Sequence, residues 1–119
     1  MKVPIVMYHS VLKDQKMDGK YVVSPTEFEN DLIYLEEHGY TTIFLQELVD
    51  YVYTGAALPE KPVVITFDDG YRSNYELLFP LLQAYQMKAV VSIMVYMQDV
   101  SADNFLSWDM CREMADSGW

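Results

Sequence analysis

Pro62-Val63-Val64-Ile65-Thr66-Phe67-Asp68-Asp69-Gly70-Tyr71-Arg72 is the stretch around which the chain is organised. Residues 63 to 67 are apolar or β-branched throughout, which reads as a strand buried on both faces, the parallel-sheet type. Two adjacent carboxylates and a glycine follow at once. In α/β proteins the carboxyl end of a buried strand is where ligands and reacting groups sit. Successive side chains leave a strand in opposite directions, so Asp68 and Asp69 are expected to face different surroundings. Gly70 permits a turn with positive φ and a close approach of the backbone to a bound ion or substrate.

Two carboxylates this close repel, and one resists ionising unless a cation or hydrogen-bond donors compensate. The functional reading is therefore one metal ligand and one general base. The structural alternative is an Asx-type turn capping a helix that starts near Ser73.

The bulk properties bound the rest. At 119 residues, 51% of them hydrophobic, the chain is one domain or part of one, and short for a complete (β/α) barrel of about 200 residues or more. Eight basic against eighteen acidic residues give a net charge of −10, which argues against nucleic acid as a partner. An acidic surface suits a cationic partner, or is simply a set of solvated faces. A single cysteine, Cys111, allows no internal disulfide and sits in a helical pattern, where a packed thiol is expected. No apolar run is long enough to span a membrane. The opening Met-Lys-Val-Pro-Ile-Val-Met-Tyr lacks a small-residue cleavage site and reads as a strand, not a signal peptide.

In chain order, Val3 to Tyr8 reads as a first buried strand with His9 and Ser10 just past its end. If that strand is parallel to the central one, His9 shares a rim with Asp68; a hydrogen-bonded structural histidine is the alternative. Residues 11 to 23, with an Asp18-Gly19 turn signal, read as a loop over the rim. Ser24-Pro25-Thr26-Glu27 starts a helix with a capping box, carried on by Phe28, Leu32 and Leu35 and ended by Gly39. His38 lies in its last turn, at the wrong end of the unit for the site. Thr41 to Phe44 reads as a strand, and Leu45 to Tyr53 as a helix closed by Gly55. A helix from about Ser73 to Gln86 is expected to kink at Pro80. Lys88 to Tyr96 reads as a fourth strand and Gln98 to Asn104 as a loop. Ser107 caps a last helix over Trp108 to Asp116, and Trp119 reads as the start of a fifth strand. Right-handed crossovers would set the four strands side by side and parallel.

Thr66-Phe67-Asp68-Asp69-Gly70, continued by Tyr71-Arg72-Ser73-Asn74-Tyr75-Glu76, resembles the first motif of the polysaccharide deacetylases, the NodB-like carbohydrate esterases. Met7-Tyr8-His9-Ser10-Val11 is similar to their poly-N-acetylglucosamine branch. The resemblance implies an α/β fold, the N-terminal portion of an irregular (β/α) barrel of about four parallel strands. It implies removal of acetyl groups from an N-acetylglucosamine-containing polysaccharide. It makes Asp68 the general base, Asp69 a ligand of a divalent metal (zinc, or cobalt, nickel or manganese), and His9 the general acid. It implies a backbone N–H, that of Tyr71, beside the oxyanion, and Arg72 either orienting Asp68 or simply exposed at a helix start. It also implies action outside the cytoplasm. The family completes its metal site with a His-Ser/Thr-x-x-His motif. The 119 residues hold histidines only at positions 9 and 38. The domain is therefore expected to be partial, its metal site incomplete, and its open sheet edge at Ala89 to Val95 prone to self-association. Two rival readings are a phosphatase-like metal hydrolase, which usually needs Asp-x-Asp spacing, and a non-catalytic domain that keeps the fold.

Overall fold

A computed structural model describes residues 1–11 and 22–119. Most of the loop expected over residues 11 to 23, including the Asp18-Gly19 turn, lies outside the described residues. The elements run β1 (Ile5–Tyr8), β2 (Ser10–Val11), β3 (Val22–Val23), α1 (Pro25–Glu37), β4 (Thr41–Thr42), α2 (Leu45–Thr54) and β5 (Pro62–Phe67). A π-helical turn (Asn74–Leu78), α3 (Phe79–Ala84), β6 (Val90–Val91), α4 (Val95–Asp99) and α5 (Trp108–Asp116) follow.

The central stretch forms the central strand. β5 pairs in parallel with β1, β4 and β6, and Val63, Val64, Ile65 and Phe67 are buried. Strands do not lie in chain order, as side-by-side crossovers would have them. Val64 and Asp68 donate to the carbonyls of Pro4 and Tyr8, on the β1 side, whereas Val63 and Phe67 accept on the opposite edge from Ile43 and Ser92. β4 and β6 therefore share one edge of β5, one against its first half and one against its second, while β1 takes the other edge.

β1 is shorter than expected and is not buried on both faces. It pairs with β5 alone in that sheet, so Ile5 and Met7 are each 55% exposed while Val6 and Tyr8 turn inward. The ring of Tyr8 meets Phe28 of α1 edge-on at 4.9 Å, and Phe28 and Phe67 lie 5.6 Å apart. Leu32, Leu78, Leu82 and Ala89 complete this core. A second cluster of Phe79, Leu106 and Met114 joins it through Trp119.

Helix starts follow their sequence signals. Glu27 N–H donates to Ser24 Oγ (3.1 Å) and Ser24 N–H to Glu27 Oε2 (2.9 Å), the reciprocal capping box. Ser107 Oγ accepts from Met110 N–H at the start of α5. Gly55 closes α2 at φ 74°. Phe44 is the residue before α2 rather than part of β4, and its N–H donates to Glu47 at 2.6 Å.

Two further elements differ from the sequence expectation. The helix after Gly70 opens with a π turn, where Phe79 N–H reaches back to Asn74 O; Pro80 has no N–H to give, and the widened turn absorbs that loss. The apolar run Lys88 to Tyr96 is a strand only at Val90–Val91, and Val95–Asp99 turns into helix α4, taking Gln98 and Asp99 from the expected loop. Short apolar runs carry no period that separates strand from buried helix. The Trp119 indole lies 6.0 Å from the Phe67 ring and 5.0 Å from that of Phe79. Cys111 is half-buried in the second cluster, and burial pushes its thiol up from the ordinary value, which makes it a resting, packed thiol. No helix among the described residues is long and apolar enough to cross a membrane.

Candidate active site

The β1–β5 ladder runs one residue past β5. Asp68 N–H donates to Tyr8 O at 2.9 Å, which brings the chain immediately after Tyr8 alongside Asp68. His9 Nε2 consequently lies 3.9 Å from Asp68 Oδ2, with the two side chains 19% and 31% exposed. That separation exceeds a direct hydrogen bond, yet one small group between the two could touch both. Two residues 59 positions apart thus share one rim because their strands are parallel and in register, Tyr8 opposite Phe67.

β5 ends at Phe67, so strand alternation does not govern the two carboxylates. Asp69 instead takes a left-handed backbone conformation, φ 75°, and Gly70 follows at φ 69°. This conformation is uncommon for a residue with a Cβ, although aspartate tolerates it better than most. The expected turn at Gly70 is present, and the close approach is to protein: a Cβ there would lie 3.1 Å from Ile93 Cγ2 and 3.3 Å from Ile93 Cα. The loop continues through a bridge between Tyr71 and Phe105, whose rings stack at 5.1 Å. Its hydrogen bonds run from Arg72 N–H to Asn104 O and from Leu106 N–H to Gly70 O, so Tyr71 N–H is the donor in neither.

Arg72 does not orient Asp68. Its guanidinium makes an i,i+4 ion pair with Glu76 at 3.8 Å, the reach that a helical turn gives it. His38 stacks on Tyr34 and is hydrogen-bonded to the Tyr34 carbonyl, far along α1 from the rim, as its position in the sequence implied. Among the described residues no group of three or more His, Cys, Asp or Glu side chains converges as a metal site would require. A hollow of about 270 Å³ opens at the amino ends of β4 and β6, the end opposite the aspartates. Its main charged groups are already paired there, Lys88 with Glu47 at 2.9 Å.

Several residues that hold the rim carry no sequence signal. Tyr8 donates its hydroxyl to Asp31 at 2.6 Å; burial and then this carboxylate push the phenol far above its ordinary value, so it stays a neutral donor. Asn74 is wholly buried and donates from Nδ2 to His9 O at 3.3 Å. Ser73 Oγ accepts from Val11 N–H at 3.4 Å. Ser73 and Asn74 stand in the continuation of the Asp68-Asp69-Gly70 motif, but nothing in the sequence marks them as holding the rim.

The family model of polysaccharide deacetylases matches residues 55–119, more than half of the chain. The chain belongs to the polysaccharide deacetylase family. It is 32% identical to the poly-beta-1,6-N-acetyl-D-glucosamine N-deacetylase of Escherichia coli (strain K12) over 126 aligned positions, covering 94% of this chain and 19% of that protein. Among solved structures, a de-N-acetylase from Aggregatibacter actinomycetemcomitans superposes with a TM-score of 0.88 at 30% identity, over 98% of this chain and 51% of that one. IcaB from Ammonifex degensii gives 0.83 at 30% identity, with 98% and 49% covered. The α/β architecture with its parallel sheet is that of these deacetylases, and the chain spans a fifth to a half of the length of these relatives.

Proposed function

We propose that this chain carries the acid–base pair of a metal-dependent hydrolase that removes acetyl groups from a poly-N-acetylglucosamine-type polysaccharide outside the cytoplasm. The observation that carries the reading is the approach of His9 to Asp68, 3.9 Å apart at the carboxyl end of two parallel strands. In support, a relative aligned over nearly all of this chain is named for N-deacetylation of poly-β-1,6-N-acetylglucosamine.

Asp68 takes a proton from a water molecule as the water oxygen bonds to the acetyl carbonyl carbon. The tetrahedral adduct then loses its C–N bond while His9 gives a proton to the departing nitrogen, leaving acetate and a free amine. A divalent metal, zinc or alternatively cobalt, nickel or manganese, would polarise the carbonyl and lower the pKa of a bound water to about 7. Asp69 is the residue assigned to it. One carboxylate falls short of the usual three protein ligands, so a complete site draws its other ligands from outside the described residues.

The test is His9→Ala in the full-length protein, assayed on an N-acetylglucosamine oligomer and on an activated acetyl ester whose leaving group needs no proton. The expected result is a fall of about a hundredfold or more on the oligomer and a small one on the ester. An equal fall on both substrates would show that His9 has a structural role.

A further inference from the structure

The acid–base pair is set by more than the two side chains that form it. His9 belongs to no strand; it is the link between β1 and β2. Among the described residues, two hydrogen bonds to the backbone of Tyr8 and His9 come from the segment 68 to 74. Asp68 N–H holds the carbonyl of Tyr8 at 2.9 Å, and Asn74 Nδ2 holds the carbonyl of His9 itself at 3.3 Å. A third bond, Val11 N–H to Ser73 Oγ at 3.4 Å, ties the next turn of the link to the same segment.

Asn74 is placed for this role in a way that packing alone does not explain. It is 0% exposed, its backbone N–H is used by Tyr71 O at 3.0 Å, and its Oδ1 has no partner among the described protein atoms. A buried amide with one acceptor left open destabilises the fold relative to an apolar side chain of the same size. The compensating feature is its side-chain bond, directed at the backbone of the histidine that faces Asp68.

We propose that Asn74 is a positioning residue: by holding the His9 carbonyl, its side-chain amide fixes the His9 imidazole against Asp68. This rests on the reading of His9 as the general acid. Asn74 is 0% exposed and so out of reach of a bound substrate; its replacement leaves Asp68, Asp69 and the water-activating step in place. What is lost is the placement of the proton on the departing nitrogen.

The experiment compares Asn74→Leu, which keeps the branched four-atom side chain and removes the donor, with His9→Ala in the full-length protein. Each is assayed on an N-acetylglucosamine oligomer and on 4-nitrophenyl acetate, with zinc affinity by calorimetry and the melting temperature measured alongside. The expected result is a fall in kcat of about tenfold on the oligomer and less than about twofold on the ester, with zinc affinity unchanged. Adding Asn74→Leu to His9→Ala is expected to cause no further loss on the oligomer, because the group being positioned is already gone. An equal loss on both substrates, or no loss, while His9→Ala remains selective overturns the role of Asn74 alone. A non-selective His9→Ala overturns the acid reading and this inference with it. If Asn74→Leu does not fold, Ser73→Ala loosens the same link by one bond, and the same substrate ratio decides: a selective fall supports the positioning role, and an unchanged ratio refutes it.

Discussion

Replacing Gly70 by alanine tests whether the turn after the aspartates is held by backbone conformation alone or also by contact. The residue sits at φ 69°, where a Cβ costs about 1–2 kcal/mol. The added Cβ would also lie 3.1 Å from Ile93 Cγ2 and 3.3 Å from Ile93 Cα. The second neighbour is backbone and cannot rotate away, so crowding adds about 1–3 kcal/mol. Gly39 is the internal control: its φ is 75°, and a Cβ there meets nothing within 4 Å. Both substitutions alter the unfolded chain in the same way, so the difference between them isolates the contact. Gly39→Ala should cost about 1–2 kcal/mol and Gly70→Ala about 2–5 kcal/mol by these two contributions. At about 3 °C per kcal/mol for a domain of this size, the melting temperatures should fall by roughly 3–6 °C and 6–15 °C. Thermal unfolding followed by circular dichroism measures both, and in the full-length protein the proposed deacetylation should fall only for Gly70→Ala. A Gly70→Ala protein that melts no lower than Gly39→Ala would refute the claim that the Ile93 contact shapes the turn.

Three further outcomes are expected. Asp69→Asn should abolish tight divalent-metal binding in the full-length protein, while Asp68→Asn keeps the metal and loses most turnover; equal metal loss in calorimetry would overturn the division of roles. Burial alone would raise the Glu47 carboxyl, but the Phe44 N–H and Lys88 outweigh it and hold it below its ordinary 4.5. Its stabilising contribution is therefore full above that value and lost as the pH falls through the lowered native one. The group is largely exposed, so the effect is small, and Lys88→Met should flatten the acid limb of the stability curve; an unchanged limb would count against the pair. Residues 1–119 expressed alone are expected to self-associate through the sheet edges at β1 and β6, and a monodisperse monomer in light scattering would contradict this.

What was legible in the sequence was whatever depends on neighbours along the chain. The buried strand 62–67, the capping box at Ser24 and Glu27, the Gly55 stop and the Ser107 cap are local events, decided by side chains three or four residues apart. The Asp68-Asp69-Gly70 end of β5 was legible for the same reason, and so was the family that its continuation resembles. The run from Lys88 to Tyr96 misled because apolar content without a period fits a strand and a buried helix equally. For Arg72 the sequence left two readings open, and the i,i+4 partner Glu76 selects the one at a helix start.

The sequence by itself determined that a strand ends in two carboxylates and that a histidine follows another strand. Only the tertiary structure decided that these meet, since His9 and Asp68 are 59 residues apart and their approach depends on parallel register between β1 and β5. It alone decided the strand order, with β4 and β6 sharing one edge of β5, because hydrogen bonds across a sheet leave no trace in local periodicity. It also gave Asn74 its place, for an asparagine at the start of a helix looks the same whether its amide faces water or the carbonyl of His9. Local propensity is written residue by residue, whereas a long-range contact exists only once the core of Phe28, Leu32, Ile65 and Phe67 has closed around it.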